Sequence, residues 1–214
     1  MVSSGLAGSG RVSVSQYRLT FHLTLACAVY AAVLWTAQQI AVQPLSEASP
    51  RQRITGFALV GMVLLQIYLG ALVAGSGAGL IYNTWPLIDG SFVPEAARLW
   101  FLHPWWRNFF ENTLTVQFDH RMFAYTIWLV AMWHAYDSWR TQRNVGGAFI
   151  LAGLVTAQAM LGIVTLLEQV SVPLAQTHQM VAILVFTFAI VHAERLWHRE
   201  ATVPARLATA GAHV

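Results

Sequence analysis

Val116-Gln117-Phe118-Asp119-His120-Arg121-Met122-Phe123-Ala124-Tyr125 sets a histidine between two charges and then turns apolar. A second segment opens in a similar way, at Gln176-Thr177-His178-Gln179-Met180-Val181. Each carries another histidine fourteen residues on, His134 after His120 and His192 after His178. Fourteen residues are nearly four helical turns, so the two histidines of each helix share a face and stand roughly 21 Å apart. Two helices that each offer an imidazole at matching depth form a clamp, and the remaining segments read as the bundle around it.

The 214 residues are 57% hydrophobic and only 10% charged, with mean hydropathy +0.54. That charge fraction is far below the usual quarter and marks an integral membrane protein. Uncharged runs cover 19–46, 54–88, 144–167 and 169–193, each longer than the roughly 18 residues of a spanning candidate. Residues 117–139 make a fifth span if Asp119 and Arg121 sit in the headgroup layer. The expected fold is therefore all-α, with five transmembrane helices, the last four forming a heme-binding four-helix bundle on the ground that paired imidazoles suit heme iron. All twelve basic residues are arginines scattered in loops, so the basic balance does not indicate nucleic acid. Cys27 stands alone inside the first helix and reads as a packing residue.

Along the chain, 1–16 is Gly/Ser-rich, and a first helix from about Tyr17 ends before Pro44. The first apolar run is too long for a signal peptide. A polar connection at 43–53 leads to a second helix over 54–73. A loop at 76–116 is rich in tryptophan and phenylalanine, and within it 98–112 reads as an amphipathic interfacial helix. Helices at 117–139, 146–167 and 172–197 complete the chain. Arg51/Arg53, Arg140/Arg143 and Arg195/Arg199/Arg206 fall on one side, assigned to the cytoplasm or matrix by the positive-inside rule. The aromatic loop and the N-terminus then face outward, and that N-terminal placement predicts a further membrane segment upstream. Gln66-Ile67-Tyr68-Leu69-Gly70 matches Gln158-Ala159-Met160-Leu161-Gly162, which divides the bundle into two similar helix pairs.

Ionisable groups inside membrane helices are functional candidates by default. His120 and His178 share depth, side and helix direction, and imidazole suits heme iron; taken singly, each also reads as an interfacial histidine. His134 and His192 read equally as snorkelling interfacial residues or as a second heme site. His103, His198 and His213 read as surface residues. Arg121 and Arg195 are candidates for heme propionates. The Gly75–Gly79 run follows a membrane helix, not a strand, so it reads as close packing or a turn.

Gly79-Leu80-Ile81-Tyr82-Asn83-Thr84-Trp85-Pro86-Leu87-Ile88-Asp89-Gly90, Asn108-Phe109-Phe110-Glu111-Asn112, the 116–121 stretch and Thr177-His178-Gln179 together resemble the heme A synthase family. These are cytochrome oxidase assembly proteins that convert heme O to heme A, and the resemblance covers nearly the whole chain. It implies eight membrane helices in two four-helix halves, with a b-type heme held between His120 and His178. The substrate heme lies in the amino half, and the segment around Tyr17-Arg18 and His22-Leu23 resembles the last helix of that half. His22 thereby becomes the implied catalytic and iron-binding residue. Its partner histidine and a family glutamate have no counterpart, so the chain resembles a member without its first three helices.

By domain, 1–50 is an outer loop and the last helix of an incomplete amino-terminal bundle, 51–200 the carboxyl-terminal bundle, and 201–214 a polar tail. The implied reaction oxidises a heme methyl group to a formyl by successive hydroxylation and loss of water. Membrane lipid, heme O, heme O synthase and an electron donor are the implied partners, and nucleic acid is not. A homo-oligomer that completes the missing bundle is a further expectation, though no residue demands it. The implied location is the bacterial inner membrane, or the mitochondrial inner membrane in a eukaryote. The competing reading is a diheme b-type electron-transfer cytochrome, with His120/His178 outside and His134/His192 inside.

Overall fold

A computed structural model describes residues 15–41 and 48–197. The tail at 201–214, His198, His213, Arg199, Arg206, most of the N-terminal loop and much of the first connection lie outside the described residues. Five long helices carry the fold: α1 (Gln16–Ile40), α2 (Pro50–Ser76), α6 (Thr113–Thr141), α7 (Val145–Leu167) and α8 (Val172–Trp197). Between α2 and α6 come the single turns α3 (Ala78–Ile81) and α4 (Ala96–Leu99), a 3-10 turn at Trp105–Arg107, and α5 (Asn108–Glu111). Among the described residues no strand forms, only one bridge between Ile88 and Ser91.

Four of the five long helices (α1, α2, α7 and α8) are long and apolar enough to cross a membrane. The 29-residue α6 is as long, but contains Asp119, Arg121, Asp137 and Arg140 and is not among them. Large apolar side chains face outward, including Leu129, Phe149, Ile150, Met180 and Leu184, as expected where lipid surrounds a bundle.

The second helix starts four residues earlier than the sequence reading placed it. Ser49 accepts a hydrogen bond from the Gln52 backbone N–H, and the Gln52 side chain accepts one from the Ser49 N–H. This capping box, with Pro50 at the first helical position, outweighs the polarity of Arg51 and Arg53. At the other end Gly77 adopts φ +68° and closes α2. Gly75 and Gly79 are close-approach positions: a Cβ on Gly75 would sit 2.8 Å from Gln16 of α1, and one on Gly79 3.1 Å from Val170.

The expected helix over 98–112 is not continuous. Pro104 cannot donate a backbone hydrogen bond and disfavours helix at His103. Asn108 and Asn112 organise the loop instead: Asn108 accepts from the Leu102 N–H and donates to the carbonyls of Leu102 and Trp105, while Asn112 donates to Arg98 O. Asn112 also caps α6 by accepting from the Leu114 N–H.

α2 packs on α6 and α8, and α7 packs on the same two, so α2 and α7 stand diagonally across the bundle, as do α6 and α8. With α7 running back between them, α6 and α8 are parallel. α1 lies outside, against α2 and α8, tied there by a hydrogen bond between the Tyr30 and Thr187 hydroxyls. The core runs along Leu59, Val63 and Ile67 of α2, at a four-residue period that gives one helix face. Phe186 and Leu151 complete it at essentially zero exposure. Small residues at the contacts, Ala131, Ala135, Ala148, Ala152, Ala189 and Ala193, let backbones approach closely, which is how helices associate where lipid removes the hydrophobic driving force. At the end opposite the aromatic loop, Arg51 pairs with Asp137, and Gln52 donates to Ser138 Oγ, Thr141 Oγ1 and Arg143 O.

Candidate functional site

His120 lies in the second turn of α6, set there by the Asn112 cap, and faces α2. Gln66 Nε2 donates to His120 O at 3.0 Å and lies 3.0 Å from His120 Nδ1. One turn further, a Cβ on Gly70 would meet His120 Cε1 at 3.2 Å. His178 in α8 has the same surroundings from α7. Gln158 Nε2 donates to His178 O at 2.9 Å and is 3.5 Å from ring Nε2, and a Cβ on Gly162 would fall 2.8 Å from His178 Cε1. The repeated Gln-x-x-x-Gly of α2 and α7 is therefore a cradle built twice, each copy around the histidine of the following long helix.

This end of the bundle carries unmet hydrogen-bonding capacity. Gln66 Oε1, Gln117 Oε1, Gln158 Oε1, Arg121 Nε and His178 Nδ1 are buried without a partner among the described residues. Each such group costs about 1–3 kcal/mol. Arg121 is buried and held beneath the aromatic loop, donating to Tyr82 O at 2.8 Å and Leu87 O at 3.3 Å. No carboxylate among the described residues forms a salt bridge with it.

The other level is built differently. His134 and His192 are 1% and 4% exposed, so the snorkelling reading of these residues fails. Their Nε2 atoms are 2.9 Å apart, and His134 Nδ1 lies 2.7 Å from Thr55 Oγ1. The rings meet edge to face at 83°, and Phe188 stacks on His192. A Cβ on Gly147 would lie 2.5 Å from His192 Nδ1. Neither ring contributes a buried unpartnered atom.

His22 is exposed on α1, outside the four-helix bundle, and His103 is exposed in the loop. A cleft of about 360 Å³ in the loop is lined by Tyr82, Ala97, Arg98, Phe101, Asn112 and Leu114, away from all four bundle histidines; its arginine is already paired with Asp89. No group of three or more metal-ligating side chains occurs among the described residues, and two imidazoles would be the whole protein contribution to a six-coordinate heme iron. Sequence reasoning saw Gln66 and Gln158 only as a repeat. It missed their contacts because those run between helices.

A family model described as cytochrome oxidase assembly protein matches residues 1–190. The chain belongs to this family. Heme A synthase of Rhodopseudomonas palustris strain BisB5 is 53% identical over 198 residues, which cover 92% of this chain and 54% of that protein. Heme A synthase of strain BisB18 is 54% identical over 91% of the chain and 53% of its own length. Heme A synthase of Bradyrhizobium diazoefficiens is 50% identical over 94% and 56%. The chain thus spans about half the length of the family members it matches. No solved structure matches it.

Proposed function

We propose that the chain serves heme A synthesis, the oxidation of a methyl group of heme O to a formyl, with a b-type heme held by His120 and His178. The observation that carries this is the twin cradle: two histidines on parallel diagonal helices, a glycine against each ring, and buried polar atoms left unsatisfied around them. His120 and His178 would hold the macrocycle between α6 and α8, with Gly70 of α2 and Gly162 of α7 leaving room beside the two rings. Arg121, buried and without a carboxylate partner among the described residues, suits a propionate at the loop end. When bound between two imidazoles, such a heme supplies one-electron transfer.

The chain's own residues do the rest. The two glutamines hold the ligand-bearing backbone, Arg121 orients the cofactor from the loop side, and the apolar core at Leu59, Val63 and Phe186 excludes water. His22, exposed on α1, is the proposed catalytic residue and iron ligand on the substrate side. In this reading α6 is a fifth membrane span, with Asp119 and Arg121 near its outer edge. The protein sits in the bacterial inner membrane, takes heme O as substrate and receives electrons from a donor.

The diheme reading gains less support. His134 and His192 satisfy each other at 2.9 Å and His134 also meets Thr55, so neither ring leaves a buried unpartnered atom. At the other level, His178 Nδ1 is left without a partner among the described residues. The deciding measurement is a reduced-minus-oxidised spectrum with a pyridine hemochrome assay on the purified chain, beside His120→Ala and His178→Ala. One b-type heme per chain, lost in either variant, is expected. Two hemes that partly survive would favour the cytochrome, and none would overturn both readings. Heme A formation in cells supplied with heme O, abolished by His22→Ala, tests the enzymatic part.

A further inference from the structure

Gln66 and Gln158 do more than the proposed ligands require. Each carboxamide donates to the backbone carbonyl of its histidine, at 3.0 and 2.9 Å, and lies against the same ring. That carbonyl already has a helical partner, so the second bond exists only because a neighbouring helix brings an amide to the right depth. Each glutamine also leaves Oε1 buried without a donor. A leucine or methionine would fill the space without that cost, so packing alone does not account for glutamine at both positions. Gly70 and Gly162, four residues on, lie against the same rings.

We propose that Gln66 and Gln158 are positioning residues that set the orientation of His120 and His178 for iron, an inference that rests on the heme reading above. An imidazole ligates iron only when its ring is turned so that a nitrogen lone pair faces the metal, and groups outside the ligand shell hold that turn. Gln66 Nε2 stands 3.0 Å from both His120 O and His120 Nδ1, so a single amide ties the ring to its own backbone carbonyl and fixes how the ring is turned. Gln158 Nε2 does the same at His178, 2.9 Å from His178 O and 3.5 Å from ring Nε2. The two helix pairs therefore each supply a ligand together with the group that orients it.

The test is a hemin titration of the heme-free purified chain, followed by Soret absorbance and by electron paramagnetic resonance of the oxidised product. Gln66→Leu and Gln158→Leu are expected to weaken heme binding by about tenfold to a hundredfold and to broaden the low-spin signal as the rings lose a fixed orientation. Gln66→Glu removes the amide donor and sets a carboxylate oxygen against His120 O, and is expected to weaken binding at least as far as leucine does. Leucine variants that match wild type in affinity and line shape overturn the proposal. The heme reading fails separately, if His120→Ala and His178→Ala bind hemin as wild type does or if wild type binds none. In that event nitrogen-15 spectra of the imidazoles in the heme-free chain decide. A single set of His120 ring signals that becomes a mixture in Gln66→Leu upholds the orienting role, and an unchanged spectrum ends it.

Discussion

Gly162→Ala is the sharpest perturbation of the cradle. The added Cβ would stand 2.8 Å from His178 Cε1 and 3.5 Å from both ring nitrogens. The first contact is about 0.7 Å inside the closest favourable carbon–carbon separation of about 3.5 Å. Gly153, in the same helix, has nothing within 4 Å of its Cβ position. There, alanine gains about 0.5–1 kcal/mol from helix propensity with no steric cost. At position 162 the same gain meets an overpacking cost of about 1–3 kcal/mol, and the ring yields more easily than the α7 backbone. His178 is therefore displaced, and heme affinity falls by roughly tenfold for each 1.4 kcal/mol. Hemin titration of the two variants, alongside thermal unfolding in detergent, reads both effects. The reasoning is refuted if Gly162→Ala binds hemin as wild type does, or if Gly153→Ala weakens binding equally.

Gly147→Ala, whose Cβ would fall 2.5 Å from His192 Nδ1, is expected to break the His134–His192 pair and destabilise the bundle by about 1–3 kcal/mol; heme stoichiometry stays at one, which the hemochrome assay checks. Arg51→Ala strands Asp137, whose side chain is 5% exposed, and is expected to cost on the order of 1–2 kcal/mol, the figure being held down by the solvent screening of a 60% exposed arginine. Adding Asp137→Asn should recover most of that loss in a thermal-unfolding cycle. At the loop, Arg107 and then Tyr17 hold the Glu111 carboxyl below the usual carboxylate range. A depressed native value contributes stability above the unfolded value and loses it as pH falls through the native one. Loop tryptophan fluorescence should therefore change at acid pH below the ordinary glutamate range, and Glu111→Gln should abolish the transition.

Where the chain's own composition decides structure, it reads directly. α8 matches the expected bounds and α7 begins one residue early, because each is an apolar run between polar stops. The start of α2 is hidden from hydropathy, since a capping box is made of polar side chains. The loop helix fails because Pro104 and two asparagine amides compete with helix over a stretch whose aromatic pattern still looks amphipathic. The histidine spacing is legible, and so is the Gln-x-x-x-Gly repeat. That Gln66 faces His120 is not, because the two are 54 positions apart with a folded loop between them and depth in the bundle is set only by packing. The His134–His192 contact is likewise a product of helix rotation, which spacing along one helix does not determine.

The pairing of α2 with α6 and of α7 with α8 has an architectural consequence. Each hairpin holds one histidine, one glutamine and one glycine of the cradle, and only a three-residue link at 142–144 separates the pairs. Both hairpins cross in the same sense, so a rotation along the membrane normal relates them. Half of this bundle therefore contains a complete recipe for the whole: a single hairpin gene, expressed alone and free to self-associate, encodes every residue type that the cradle uses. Duplication and fusion of such a hairpin would then join two identical half-sites in one chain, after which each copy could diverge at the rim while the shared interior stayed fixed.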